Sequence, residues 1–322
     1  MDPEITVLEA IQMRFRDAFG ESFALDVPMA RYTSARVGGS AEMFLEVTDQ
    51  SELQAAVELA YAQSVPYLVI GGGSNILVSD NGIKGLVILN KARGVHFRHN
   101  GSGVVCTVES GMNLSSLARR CIAKGLGGLE WAVSVPGTVG GAVVGNSGAH
   151  GGDMNSTLLT AIIWTPGKGA RVYGRNEMAY GYRDSILKKE QGKEQPRRVV
   201  LSAELELKPE SVDVLAARVD GFVAHRKQTQ PGGASMGSMF KNPENYYAGY
   251  LIDAAGLKGF RSGGAAISEK HANFFVNDDD ATAEDVRALI AEAWNAVRER
   301  YGIELQLEVE LVGDWRFDEE IA

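Results

Sequence analysis

Two glycine-rich stretches carry the clearest chemical signal in this sequence. The first, Gly71 to Asn75, follows four apolar residues at 67–70 that are typical of a short buried strand. The second runs from Val135 to Ala142. Glycines lack a Cβ atom, so their backbone N–H groups can approach a bound anion closely and positive φ costs little. Two such cradles indicate a ligand with a diphosphate and a long body, such as a dinucleotide.

The same stretches disfavour one common type of nucleotide site. Neither contains a G-x-G-x-x-G fingerprint followed by a helix pattern, so a Rossmann site is not expected. In the first stretch, Ser74 and Asn75 add side-chain donors to those of the backbone.

Three polar side chains in two segments could act on a substrate. Arg183 adjoins an acid in a turn, where a surface ion pair is the simplest interpretation. Ser238 follows Gly237, which frees the backbone there, and Asn242 precedes a proline that stops regular structure. A well-packed turn explains this second segment as readily as a binding site does.

Acids, histidines and cysteines give weaker signals. Glu308 and Glu310 would lie on one face of a terminal strand, either exposed to solvent or binding a ligand. His271 lies beside an asparagine with no second ligand candidate nearby, so we expect no metal. Cys106 and Cys121 lack metal-ligand spacing. The sequence allows a disulfide between them, but a reducing cytoplasm is the simpler setting.

Composition narrows the function classes. The chain has 322 residues, of which 45% are apolar and 23% charged, as in soluble globular proteins. Its net charge of −9 argues against a nucleic-acid partner. We find neither a signal peptide in residues 1–9 nor an apolar stretch of about 18 residues. We therefore expect a cytoplasmic protein without membrane insertion.

The elements that position these residues are a mixture of helices and strands. Periodicity predicts helices over 4–19, from Ser51 with Gln54 in a capping box, and after Asn113. The clearest helix starts at Thr282, with Asp285 three residues on and Gly302 as its stop. Predicted strands lie near 67–70, 86–89, 104–108, 161–165, 170–172, 199–207 and 305–312, with a solvated loop at 188–198.

Seven short motifs, taken in the order in which they occur along the chain, closely resemble those of the UDP-N-acetylenolpyruvoylglucosamine reductase family. The resemblance runs from about residue 30 to residue 313, and the ordered set is far more specific than any single motif. The motifs are Arg36–Gly39, Gly71–Asn75, Pro136–Gly141, Asn146–Ala149, Gly181–Ser185, Gly237–Pro243 and Ser268–Phe274.

The resemblance implies an α+β fold: a two-part FAD-binding domain of vanillyl-alcohol-oxidase (PCMH) type plus a C-terminal α+β substrate domain. Our boundaries fit it, with FAD-binding subdomains at 1–90 and 91–209 and a substrate domain at 210–322. The activity implied is that of UDP-N-acetylmuramate dehydrogenase (NADP+), a step of peptidoglycan synthesis. FAD would be bound non-covalently, with NADPH as electron donor and UDP-N-acetylglucosamine enolpyruvate as substrate.

The resemblance also implies roles for individual residues. Ser238 matches the proton donor, while Arg183 and Glu308 would bind and polarise the substrate carboxylate, Glu308 carrying or sharing a proton. Lys227 and Asn242 would contact the substrate. The residues expected to bind FAD are Gly71, Gly72, Gly73, Ser74, Asn75, Pro136, Gly137, Thr138, Gly140, Gly141, Asn146 and Gly148.

The sequence departs from the family at three places, one of which is the pair Met236 and Met239 that flanks the serine turn. Tyr32 and Ala35 stand where an asparagine and a phenylalanine are usual. The segment 188–198 contains no tyrosine, which indicates the branch that lacks a substrate-capping tyrosine loop. Two alternatives stay open: another flavin oxidase or dehydrogenase of the same fold, and a non-catalytic nucleotide-binding protein.

Overall fold

The computed structural model describes residues 6–190 and 197–315 of the chain. Short 3-10 turns lie at Gly20–Ser22, Met29–Arg31, Glu130–Ala132 and Arg175–Met178. The α-helices are α1 (Val7–Phe19), α2 (Gln50–Ala62), α3 (Leu114–Ile122), α4 (Val139–Gly145), α5 (Met154–Thr157), α6 (Ile186–Glu190), α7 (Val212–Thr229), α8 (Ala248–Ala254) and α9 (Ala283–Tyr301).

Strands and helices are mixed along the described chain, and most strand pairs are antiparallel, which makes the fold α+β as predicted. They are β1 (Phe23–Pro28), β2 (Ser40–Val47), β3 (Tyr67–Ile70), β4 (Ile76–Val78), β5 (Ile83–Asn90), β6 (Val95–Asn100), β7 (Gly103–Glu109), β8 (Leu126–Gly127), β9 (Gly148–Ala149), β10 (Gly152–Asp153), β11 (Leu158–Thr165), β12 (Gly169–Gly174), β13 (Val199–Pro209), β14 (Ala234–Ser238), β15 (Arg261–Ser262), β16 (Ala265–Ile267), β17 (Phe274–Asn277) and β18 (Glu310–Val312).

The chain folds into two compact units, neither of which is continuous in sequence. The first unit contains residues 6–27 and 41–71 and the described part of 84–219. The second contains 28–40, 72–83 and 220–315. The division into 1–90, 91–209 and 210–322 stays a prediction, because these units follow spatial contact rather than domain function.

The first unit is built on two sheets. One has the order β1-β2-β5-β3, in which β3 and β5 run parallel. The other has the antiparallel path β12-β11-β13-β7-β6. Helices α1 and α2 bury Phe15 and Leu53 in a core that also contains Trp164 from β11. Burial of these large side chains is the main stabilising term for the unit.

The second unit combines an antiparallel sheet with a parallel strand pair. The sheet has the order β14-β17-β16-β15, and β18 runs parallel to β4. Helix α9 packs its apolar stripe, including Val286 and Leu289, on a core that contains Phe240 and Phe275. Two of the residues next to expected site positions, Met239 and Phe240, are therefore core residues.

Several predicted helix ends are confirmed. The Asn113 side chain accepts a hydrogen bond from Ser116 N at 2.9 Å at the start of α3. Thr282 and Asp285 form the predicted capping box of α9, with both hydrogen bonds present. Gly302 ends α9 at a φ of +66°, a conformation that glycine adopts without strain.

Three local predictions are wrong. Asp49, not Ser51, caps α2, because its carboxylate reaches Glu52 N at 2.9 Å. The second glycine-rich stretch does open a helix, α4, although glycines hide the helical pattern. The last strand is regular only over Glu310–Val312; before it, Leu307 makes a single bridge to Phe240.

Two further expectations concern the loop and the membrane. The predicted loop at 188–198 begins inside α6, and residues 191–196 lie outside the described part. Across 6–190 and 197–315, no helix combines the length and apolarity that crossing a membrane requires.

Candidate active site

In the described part of the chain, the first glycine-rich turn has three backbone N–H groups without a protein acceptor, while two of its carbonyl oxygens accept hydrogen bonds. The carbonyl oxygens of Gly72 and Gly73 accept hydrogen bonds from Ser34, at 3.4 Å from its hydroxyl and 2.9 Å from its N–H. Within the described residues, the N–H groups of Gly72, Gly73 and Ser74 donate to no protein acceptor. Consecutive unpaired N–H groups of this kind form an anion-binding concavity.

Glycine is required in this turn for steric reasons. Gly73 has a φ of +55°, and a Cβ there would overlap the carbonyl oxygen of Tyr32. Gly71 ends the first unit's part of the turn, and a Cβ on it would overlap the side chain of Thr138. Within the first unit, Gly71 therefore lies in close contact with Thr138 of the second stretch.

The second stretch is fixed by backbone hydrogen bonds to the end of β7. Gly140 N donates to Ser110 O at 2.8 Å, and Val139 N donates to Met112 O at 2.9 Å. Thr138 caps α4 through its hydroxyl, which lies 3.5 Å from Gly141 N. Pro136 and Gly137 lead into this cap, Gly137 with a φ of +102°.

Asn146 ends α4 and holds the next loop in place. It adopts the left-handed conformation, with a φ of +44°, which asparagine tolerates better than most residues. Its Nδ2 donates to Gly181 O at 2.9 Å, and its Oδ1 accepts from Asn155 N at 3.0 Å. The buried Asn146 amide therefore positions the loop that carries Arg183. Its role in binding FAD stays a separate prediction.

The Arg183 guanidinium lies against the second glycine-rich run. It donates to Gly148 O at 2.5 Å and to Asn146 O at 3.5 Å, and its Cζ lies 5.4 Å from the centre of the Tyr182 ring. Arg183 itself has a φ of +53°, an uncommon conformation for a non-glycine residue. Strained backbone of this kind is found preferentially at functional sites.

Ser238 ends β14 just after a bulge. Ser235 pairs with Val276 and Ser238 with Phe274, so the register shifts between them, at Gly237 with a φ of +80°. Bulges commonly redirect side chains next to active sites. Among the described residues, the half-buried Ser238 hydroxyl has no hydrogen-bond partner.

Glu308 is held between Ser238 and the first glycine-rich turn. Its N–H donates to Met239 O at 2.9 Å, and its carbonyl oxygen accepts from Asn75 Nδ2 at 3.0 Å. Glu310 N in turn donates to Asn75 O at 3.0 Å. One hydrogen-bond network in the second unit therefore joins Asn75 to Glu308, and Glu308 to Met239, the residue after Ser238. Neither periodicity nor spacing predicted this network.

The two expected substrate contacts differ in their surroundings. Asn242 Oδ1 accepts from Ala248 N at 3.1 Å and so fixes the start of α8, while its Nδ2 has no partner among the described residues. Lys227 is exposed on α7, and its carbonyl oxygen accepts from Lys270 Nζ at 2.7 Å. Neither contact tests a role in substrate binding.

The remaining reactive side chains are structural in character. His271 is partly buried, which lowers its pKa, and its Nδ1 accepts from Asn273 N at 3.2 Å. Cys106 and Cys121 are both buried free thiols. Across 6–190 and 197–315, no group of three potential ligands could hold a metal.

The predicted site residues thus fall into two sets. In the first unit, Thr138 contacts Gly71 and Arg183 contacts the loop of Gly148. In the second unit, the structure brings Ser238, Glu308 and Asn75 together. Their roles in chemistry stay predictions.

Two family models match the chain in separate regions. Residues 41–170 match the FAD binding domain, and residues 228–312 match the C-terminal domain of UDP-N-acetylenolpyruvoylglucosamine reductase. The FAD match includes the second glycine-rich stretch and the turn of Gly71–Asn75.

Similar proteins cover nearly the whole chain. The UDP-N-acetylenolpyruvoylglucosamine reductase of Chloroflexus aggregans is 41% identical over 88% of this chain and 96% of its own length. That of Geobacter metallireducens is 38% identical over 95% of this chain and 99% of its own.

A solved structure shows the same fold. The reductase of Thermus caldophilus superposes with a TM-score of 0.74 at 34% identity, covering 90% of this chain and 98% of that one. These findings select an enzyme over a non-catalytic nucleotide-binding protein. The chain therefore belongs to the UDP-N-acetylenolpyruvoylglucosamine reductase family and is an FAD-dependent oxidoreductase.

Proposed function

We propose that this enzyme reduces the enolpyruvyl ether of UDP-N-acetylglucosamine to UDP-N-acetylmuramate, with NADPH as electron donor, in peptidoglycan synthesis. FAD, when bound, would supply the hydride-transfer chemistry that links oxidation of NADPH to reduction of the substrate's vinyl CH₂ carbon. Negative charge then develops at C2 and on the carboxylate, as an enolate. The protein must stabilise that charge and protonate C2.

Three side chains are proposed to meet these demands. Arg183 supplies fixed positive charge to the substrate carboxylate, and Glu308, carrying or sharing a proton, donates a hydrogen bond to the same end. Ser238 gives its hydroxyl proton to C2, because an enolate is a strong enough base to take it. Lys227 and Asn242 contact the rest of the substrate.

The observation that carries this proposal is the hydrogen-bond network around Asn75. A proton donor and a carboxylate-binding acid must stand at fixed positions relative to the reacting carbon. Glu308 N bonds to Met239, the residue after Ser238, and Glu308 O bonds to Asn75 of the proposed FAD turn. The network holds the segments of Ser238 and Glu308 beside Asn75, which supports the proposal that these residues act on one bound cofactor and substrate.

The glycine-rich turn fits the diphosphate of FAD. Its unpaired N–H groups at Gly72, Gly73 and Ser74 supply donors for phosphate oxygens. Asn75 Nδ2 uses one hydrogen on Glu308 O, and a primary amide keeps a second hydrogen for a ligand. In the first unit, Thr138, Gly140 and Gly141 at the start of α4 are proposed to contact the same cofactor.

Gly73→Ala should abolish FAD retention. The new Cβ would overlap Tyr32 O and force the turn to move, which removes its N–H groups from the diphosphate. FAD content is read from the flavin absorbance of the purified protein. Gly20→Ala is the matched control, because Gly20 has nearly the same φ, +57°, and no atom within 4 Å of the added Cβ. Full FAD content in Gly73→Ala would remove this turn from the site.

Ser238→Ala should spare flavin reduction by NADPH and slow reoxidation by the enolpyruvyl substrate. Loss of a positioned proton donor typically costs about a hundredfold or more. Anaerobic stopped-flow absorbance measures the two half-reactions separately. Ser235→Ala on the same strand is the control and should keep both rates. Equal slowing of both half-reactions in Ser238→Ala would contradict the assignment.

Glu308→Gln should slow the second half-reaction while Glu310→Gln does not. The substitution keeps the side chain's size but removes its acidity, and the backbone bonds to Met239 and Asn75 survive. The same stopped-flow experiment compares the two variants. A normal second half-reaction in Glu308→Gln, or a slow one only in Glu310→Gln, would show that Glu308 does not hold this role.

A further inference from the structure

Three exposed tyrosines form a patch on the second unit that the proposed mechanism does not use. Tyr246, Tyr247 and Tyr250, the tyrosine patch, are 51%, 74% and 67% exposed. Within the described residues, their hydroxyls make no hydrogen bond and their rings contact no other ring. Exposed aromatic side chains concentrated in so short a segment are typical of a binding surface.

Helix α8 carries one of the three tyrosines and begins directly after the other two. Its inner face buries Ala248, Leu251 and Ile252 in the core. Tyr250 lies on the helix, Tyr247 is its N-cap in an extended conformation, and Tyr246 precedes that cap. None of the three rings belongs to the core on which α8 packs, and all three are exposed.

The patch is fixed to the proposed substrate contacts by backbone hydrogen bonds. Asn242 Oδ1 accepts from Ala248 N at 3.1 Å, and Tyr246 N donates to Pro243 O at 3.1 Å. Lys241 N donates to Gln306 O at 2.8 Å, next to the Glu308 segment. The Lys241 ammonium and Asn242 Nδ2 have no partner among the described residues.

The order of groups along this segment matches the order of groups along the substrate. Starting from the Ser238 hydroxyl at the reacting end, the chain presents an ammonium at Lys241, an amide at Asn242 and then the aromatic rings. A uridine diphosphate sugar presents its reacting group, then its anionic diphosphate, then a planar base. Cations and amides suit the diphosphate, and aromatic faces suit the base.

We infer that the tyrosine patch stacks on the uracil base of the substrate and so selects uridine nucleotides. This inference rests on the proposed function. Stacking on an aromatic side chain does not need the tyrosine hydroxyl, so phenylalanine should replace tyrosine.

The test measures binding of UDP to the FAD-loaded protein by titration calorimetry. Replacing both Tyr247 and Tyr250 by alanine should raise the Kd for UDP by about tenfold or more. The corresponding double phenylalanine variant should keep nearly wild-type affinity. Inorganic pyrophosphate, which lacks a base, should bind wild type and the alanine variant equally. Tyr301→Ala, an exposed tyrosine at the end of α9, is the matched control.

Three results would overturn the inference. They are wild-type UDP affinity in the alanine variant, an equal loss of UDP and pyrophosphate affinity, and a change in oligomeric state without a change in UDP affinity. The last would make the patch an interface between copies of the chain. A wild-type protein that binds UDP but is not reoxidised by the enolpyruvyl substrate contradicts the proposed reaction, whereas loss of UDP affinity in the variant still supports the patch.

Discussion

Asn75 is the residue on which the organisation of the second unit's site depends. Its side chain donates to Glu308 O and its carbonyl oxygen accepts from Glu310 N, both at 3.0 Å. These bonds continue the parallel pairing of β4 with β18 and so fix the acidic segment beside the glycine-rich turn. Each hydrogen bond contributes only about 1 kcal/mol, but together they set position, which matters more for catalysis than stability does.

In the first unit, the main constraint is the close approach of backbone segments to one another. Gly71 packs on Thr138 without room for a Cβ, and Gly140 packs tightly on Ser110. The Arg183 guanidinium then uses the carbonyl oxygens of the following loop as acceptors. Glycine content in this family member is thus a packing requirement as well as a means of exposing N–H groups.

Local features were predictable from the sequence, and long-range ones were not. The caps at Asn113 and Thr282 follow from side chains that bond to the backbone N–H three residues on. The bond between Asn75 and Glu308 joins segments far apart in sequence, so no periodicity or spacing could indicate it. Asp49 was missed because Ser51 fits the same capping pattern, and only the backbone conformation decides between them.

The family was predictable mainly through ordered motifs, and the site residues assigned from those motifs stay predictions. The family and its FAD cofactor follow from motifs that are individually weak, and the comparisons bear both out. Composition could not predict that the Asn146 amide donates a hydrogen bond to the Gly181 loop, because that bond depends on the left-handed backbone at the end of α4. Nor could it show that the rings of the tyrosine patch face solvent, since periodicity equally allowed them to be buried.

The central claim is that this enzyme passes electrons from NADPH through FAD to an enolpyruvyl UDP-sugar. The most direct measurement is an anaerobic titration that follows flavin absorbance, first with NADPH and then with UDP-N-acetylglucosamine enolpyruvate. We expect the yellow protein to bleach on the first addition and to recover its colour on the second. A protein that bleaches but does not recover with this substrate would contradict the claim.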